Sequence, residues 1–228
     1  MALSEFQRTW SRHFANEQGR IRAWTFVPKE IAEKIESGAI TDAIEDTSEF
    51  HDESYQQADA WMIEAMDRAG ITRPAGTVVP WFCWVQTGCP GDVPCMGYGG
   101  ADKVLLELSL PSEEILISDA DKFHMVIIYS PVCQSWEEHD AFDAECNQAG
   151  FNYHRQRPVA EPFHGRIVSS WDSAFDLSDD SEYFGGPLDN RTLQCTIWQL
   201  KPEYIVGRVV PSHSCFEDDP DEQEDSDA

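Results

Sequence analysis

The segment from Ile21 to Gly38 constrains this chain more than any other. Ile21-Arg22-Ala23-Trp24-Thr25-Phe26-Val27 has the β-branched and aromatic content of a strand. Pro28 supplies the first position of a helix whose buried face is Ile31, Ala32 and Ile35. Gly38 fits the left-handed position just past that helix. A strand that passes directly into a short amphipathic helix sets the tone for the rest of the chain.

Before this unit, Leu3, Phe6, Trp10 and Phe14 are spaced three, four and four residues apart, which predicts one helical stripe ended by Gly19. After it, residues 41–53 are polar and acidic, with Ile44 and Phe50 as anchors, and read as a surface loop. Asp52 or Ser54 can cap a helix running to Ala69, with Tyr55, Ala58, Trp61, Met62, Ala65 and Met66 on its inner face. Val78 to Val85 and Lys103 to Leu110 read as strands, separated by a loop rich in Gly, Pro and Cys at 88–100. Ile115-Leu116-Ile117 is a short strand, followed by Asp119 as the cap of a helix over 120–129. A weaker helical pattern covers 134–149, and Ser169 or Ser170 opens a short helix with Trp171, Ala174 and Phe175. Two strands close the pattern, at 192–200 and 204–210.

Helices therefore interleave irregularly with about six short strands, several of them antiparallel. This predicts an α+β single domain with a mixed or antiparallel sheet and surrounding helices, not a doubly wound parallel sheet. The expected boundaries are an amino-terminal helix at 1–19, the α+β domain at 20–212 and a disordered acidic tail at 213–228.

Composition narrows the function classes. The formal net charge is −26, so long-range repulsion from phosphate backbones disfavours non-specific nucleic-acid binding. Arg20 with Arg22, and the looser group of Arg155, Arg157 and Arg166, could form a local basic groove, but both read as solvated surface. Eight Trp and an aromatic content of 11% supply a real core. No apolar run approaches a membrane span, and the start lacks the pattern of a secretion signal, which predicts a soluble cytoplasmic protein. Seven cysteines are scattered rather than framed as a disulfide scaffold. Cys83, Cys89 and Cys95, with His124 as a fourth ligand, do not have the spacing of a zinc site, so no metal is expected. Phosphate-loop, zinc-protease and nucleophile-elbow motifs are missing.

Several segments in order resemble a bacterial family known as domain of unknown function 3841. They are Trp24-Thr25-Phe26, Gly38-Ala39-Ile40, Tyr55, Ala60-Trp61-Met62, Met66, Pro80-Trp81-Phe82-Cys83-Trp84 and Val104 to Leu108. Ile117-Ser118-Asp119, Phe123-His124, Ser170-Trp171, Phe175-Asp176-Leu177, Gln194, Trp198-Gln199-Leu200 and Ile205 continue the series. Phe123, where the family tends to have Trp, the 88–100 loop and the tail depart from its pattern.

A remoter likeness concerns chemistry. Trp24-Thr25 to Gly38 resembles the opening of DarT-like ADP-ribosyltransferases, and Leu193-Gln194-Cys195-Thr196 resembles the strand on which those enzymes place Gln-x-Glu. The likeness implies NAD as a substrate, held by Trp24, Thr25 and Tyr55, with Arg22 and Gln194 in the catalytic group and Glu107 as a substitute acid. Thr196 stands at the Glu position and Ala23 at the first-strand His position. The acceptor would be a macromolecule or a small molecule. This reading expects the front and back strands to lie side by side, with Thr25, Tyr55 and Gln194 lining one cleft and Arg22 at its rim. The competing reading is a non-catalytic acidic interaction protein, such as a phage- or defence-associated inhibitor that mimics nucleic acid. Oligomeric state is open at this level.

Overall fold

In a computed structural model, residues 3–43, 53–88, 103–155 and 159–209 are described, without the side chains of Glu53 and Ser54. The stretch 44–52, most of the 88–100 loop with Cys89 and Cys95, Arg157 and the acidic tail lie outside them. Helix α1 (Leu3–Phe14) ends before Gly19, whose φ of +71° turns the chain into β1 (Arg20–Pro28). Pro28 is the last residue of β1 and the cap of α2 (Lys29–Glu36), one position earlier than expected. Gly38, at φ +105°, closes α2 as anticipated.

Strand β2 (Thr41–Asp42) precedes α3 (Glu53–Ala69), β3 (Trp81–Gln86), β4 (Lys103–Pro111) and β5 (Ile115–Asp119). Then come α4 (Ala120–Ile127), α5 (Trp136–Gln148) and α6 (Phe163–Ser170), which runs into a 3-10 turn at Trp171–Phe175. β6 (Leu193–Ile197), β7 (Gln199–Leu200) and β8 (Ile205–Val209) complete the order. The architecture is a single α+β domain around a six-stranded antiparallel sheet in the order β5-β6-β3-β1-β4-β8. The single expected strand over 192–200 is divided: β7 leaves the main sheet and pairs with β2 in a two-stranded ribbon. Asp42 fastens that ribbon by accepting hydrogen bonds from Thr77 Oγ1 at 2.7 Å and Gln199 Nε2 at 2.8 Å.

Alternation along the strands separates two apolar layers. Ile21, Ala23, Val27, Leu106, Leu108, Leu110, Cys83 and Cys195 pack with Ile31, Ala32 and Ile35 of α2 on one face. On the other, Leu116 and Phe82 meet α1, α3, α4 and the 3-10 turn. Trp61 stands at the centre of that second layer, stacked 5.1 Å from Phe175 and edge-on at 6.1 Å to Trp171. Among the described residues, no helix is long and apolar enough to cross a membrane.

Candidate functional site

Directly opposed residues of an antiparallel pair project from the same face. The register therefore lines up Ser118, Gln194, Trp84, Trp24 and Glu107 across five strands, β5, β6, β3, β1 and β4. Arg22, two residues before Trp24, shares that face. Its Nε donates to Glu107 Oε1 at 2.6 Å, and its guanidinium lies 4.7 Å from the Trp24 ring centroid. The side chains of Arg22 and Glu107 are 50% and 22% exposed, so solvent screens the pair and its contribution to stability is under about 1 kcal/mol. Four of the six residues singled out in the sequence, Arg22, Trp24, Glu107 and Gln194, thus share one face of the sheet.

Trp24 is nearly buried, and its indole Nε1 has no hydrogen-bond partner among the described residues. A buried orphan donor is costly, and a ligand acceptor would satisfy it. Gln194 is also nearly buried, and its Nε2 donates to Ser118 Oγ at 3.2 Å.

Two expectations need correction. β1 and β6 are not neighbours, because β3 pairs with both, so Trp24 and Gln194 are two strand spacings, about 10 Å, apart. Thr25 belongs to the opposite face, in register with Leu106, and its Oγ1 donates to the Phe82 carbonyl at 3.1 Å. Its hydroxyl is committed to the sheet. Tyr55 lies in the first turn of α3, largely exposed, and no register links it to the row.

Sequence reasoning passed over a second polar cluster. His139 of α5 has Tyr183 Oη 2.9 Å from Nδ1 and Tyr153 Oη 3.4 Å from Nε2, while Tyr153 donates to Asp143 Oδ1 at 2.7 Å. Only the four-residue spacing of His139 and Asp143 was visible beforehand, since the tyrosines come from separate turns. Burial, with Glu138 and Asp143 nearby, pushes the Cys133 thiol up to about 11, and burial followed by the Asp143 contact raises Tyr153 as well. Groups held protonated in this way are poor nucleophiles, so the cluster reads as structural.

Where β1 begins and β4 ends there is an open groove of about 380 Å³ whose lining includes Arg20, Glu114, Lys201 and Tyr204. Glu114 accepts from Lys201 Nζ at 3.0 Å and from Tyr204 Oη at 2.6 Å, and none of the six candidates lines this groove. Burial first, and then the Glu114 hydrogen bond, push Tyr204 up to about 12. Among the described residues, no group of three or more His, Cys, Asp or Glu is arranged to hold a metal ion.

No curated protein and no solved structure matches the chain. A family model does, over residues 22–206, a span that takes in all but the first two residues of β1, the first two residues of β8 and every residue of the row. The chain of 228 residues belongs to that family, described as Domain of unknown function (DUF3841).

Proposed function

We propose that this protein is an NAD-consuming transferase of the ADP-ribosyltransferase kind, with its site on the sheet face that carries Arg22, Trp24, Trp84 and Glu107. The observation that carries the reading is the Arg22–Glu107 ion pair, with the Arg22 guanidinium over the Trp24 ring. A dinucleotide needs aromatic surface, a cation for its pyrophosphate and an acid at the reacting ribose. This corner of the sheet offers each. Arg22 faces the pyrophosphate, the orphan indole N–H of Trp24 takes an acceptor on the ligand, and Glu107 serves the reaction.

In the transfer, the bond from the ribose anomeric carbon to the nicotinamide nitrogen breaks and its electron pair stays on nicotinamide. An oxygen or nitrogen of the acceptor bonds to that carbon, and its proton passes to the Glu107 carboxylate. Gln194 lies about 14 Å from Glu107 by three strand spacings and, hydrogen-bonded to Ser118 beside it, acts in positioning β6 rather than in touching the reacting atoms.

The test is incubation with NAD labelled in both halves, following nicotinamide release and label transfer to protein, RNA and DNA. Glu107→Gln is expected to slow release about 100-fold or more while leaving the circular-dichroism spectrum unchanged. Absence of release by the wild type, or equal rates for wild type and variant, would overturn the proposal. The second reading, a non-catalytic acidic interaction protein, draws on the net charge of −26 and on the closure of Gln194 within the fold. It is the one that survives such a result.

A further inference from the structure

We propose that Cys83 and Cys195 form a cross-strand pair that two-electron oxidation converts to a disulfide bolting β3 to β6. This inference stands apart from the proposed function. The two residues are direct partners in the β3–β6 register, flanked by Phe82↔Thr196 and Trp84↔Gln194. Opposed residues of antiparallel strands have Cα atoms about 4.5–5.5 Å apart, inside the window of about 4.4–6.8 Å that a disulfide spans. Both side chains project into the layer covered by α2. The other described cysteines, Cys133 and Cys146, are buried but lie outside that layer. Within the described residues neither thiol of the pair has a competing cysteine in its own layer.

With hydrogen peroxide as oxidant the chemistry balances. One sulfur attacks the O–O bond to give a sulfenic acid, S–OH, and the departing hydroxide takes a proton and leaves as water. The second thiol's sulfur displaces that hydroxyl, which departs with the thiol proton as a second water as the S–S bond forms. Cys83 and Cys195 are 1% and 0% exposed, so the oxidant enters only as the sheet breathes. The hydrogen bond from Cys83, and burial after it, push the Cys195 thiol well above its ordinary value, which slows the reaction further. Oxidation is therefore expected over hours, not seconds. Trp84 and Gln194 are the next residues along the two strands and face the other way, so the bond would clamp β3 to β6 directly beneath the row.

The experiment treats the native full-length protein with millimolar peroxide, blocks remaining thiols with iodoacetamide in urea, and digests without reductant. A peptide pair joined through Cys83 and Cys195, lighter by two hydrogens than its reduced sum, together with a raised urea midpoint, is the expected result. Recovery of both residues alkylated, or of either joined to a different cysteine, overturns the proposal. So does a Cys83–Cys195 link that forms only when peroxide is added in urea. The wild-type peptide map needs no variant, and a Cys83→Ala protein that folds must lose both the linked pair and the midpoint shift.

Discussion

Lys122 has no exposed side-chain surface, yet its ammonium is fully engaged. Nζ donates to the carbonyls of Asp176 at 2.9 Å and Ser173 at 3.3 Å and pairs with the Asp179 carboxylate. Arg191, also buried, bonds Asp179 Oδ1 at 2.7 Å and the Gly186 carbonyl at 2.8 Å, with its Nη1 3.5 Å from Asp119 Oδ2. Two cations and two carboxylates thus neutralise one another where α4 meets the 3-10 turn. Removing one member leaves the rest unbalanced, so Lys122→Met is expected to lower stability by about 3 kcal/mol, read from a urea midpoint. An unchanged midpoint would mean that the network is decorative. The two acids respond to pH with opposite sign. Burial acts to raise Asp179, but hydrogen bonds from Lys122 and Arg191 outweigh it, so its folded value lies below the ordinary one of about 4. Its contribution is complete above about pH 4 and is lost as pH falls through the folded value. Burial raises Asp119, so stability tied to that group declines as pH climbs from about 4 through its folded value. Melting curves of Asp179→Asn should therefore show a flatter acid limb than the wild type. An equally steep acid limb in that variant would place the acid sensitivity elsewhere.

Helix α5 shows how much a few atoms decide at the next scale. Ser135 Oγ accepts from the Glu138 N–H at 3.2 Å, and Glu138 Oε2 accepts from the Gln134 N–H at 2.7 Å, a reciprocal cap on orphan donors. Ser135→Ala should lower stability by about 1 kcal/mol, and a chemical-denaturation midpoint would reveal it. Local signals of this kind were readable in advance. Pro28 and Gly38 bracket α2, Asp119 caps α4 through the N–H groups of Asp121 and Lys122, and Gly150 follows α5 at φ +81°. Helix α6 escaped notice because Gly165 interrupts its short span, which argues locally against a helix. The order of strands escaped for a different reason. Period-two alternation tells which residues of β1 share a face, so the divergence of Thr25 from Trp24 follows from the sequence alone. It does not tell that β3 will slot between β1 and β6, because that depends on contacts more than a hundred residues apart in the chain. The Arg22–Glu107 contact was legible as two residue types and illegible as a pair, since only the β1–β4 register brings them together.

For the molecule as a whole, charge and topology set the terms. A net charge of −26 repels itself in the compact state more than in the expanded one. Raising ionic strength from about 0.01 to about 0.15 M shortens the screening length from roughly 30 to 8 Å. The urea midpoint is expected to rise over that range, and a flat or falling midpoint would show that favourable ion pairs such as Arg208–Glu36 dominate instead. Topology has a second consequence. β6 occupies an interior place in the sheet although it comes from the final sixth of the chain, and β5 reaches the other strands only through it. During synthesis on the ribosome, everything from Leu3 to Asp119 would emerge with that slot vacant, exposing the backbone of β3 on one flank and of β5 on the other. The nascent chain must wait for Leu193–Ile197 to clear the exit tunnel before those flanks are sealed, so a translational pause upstream of that point would leave two sticky ribbons open to any neighbouring polypeptide.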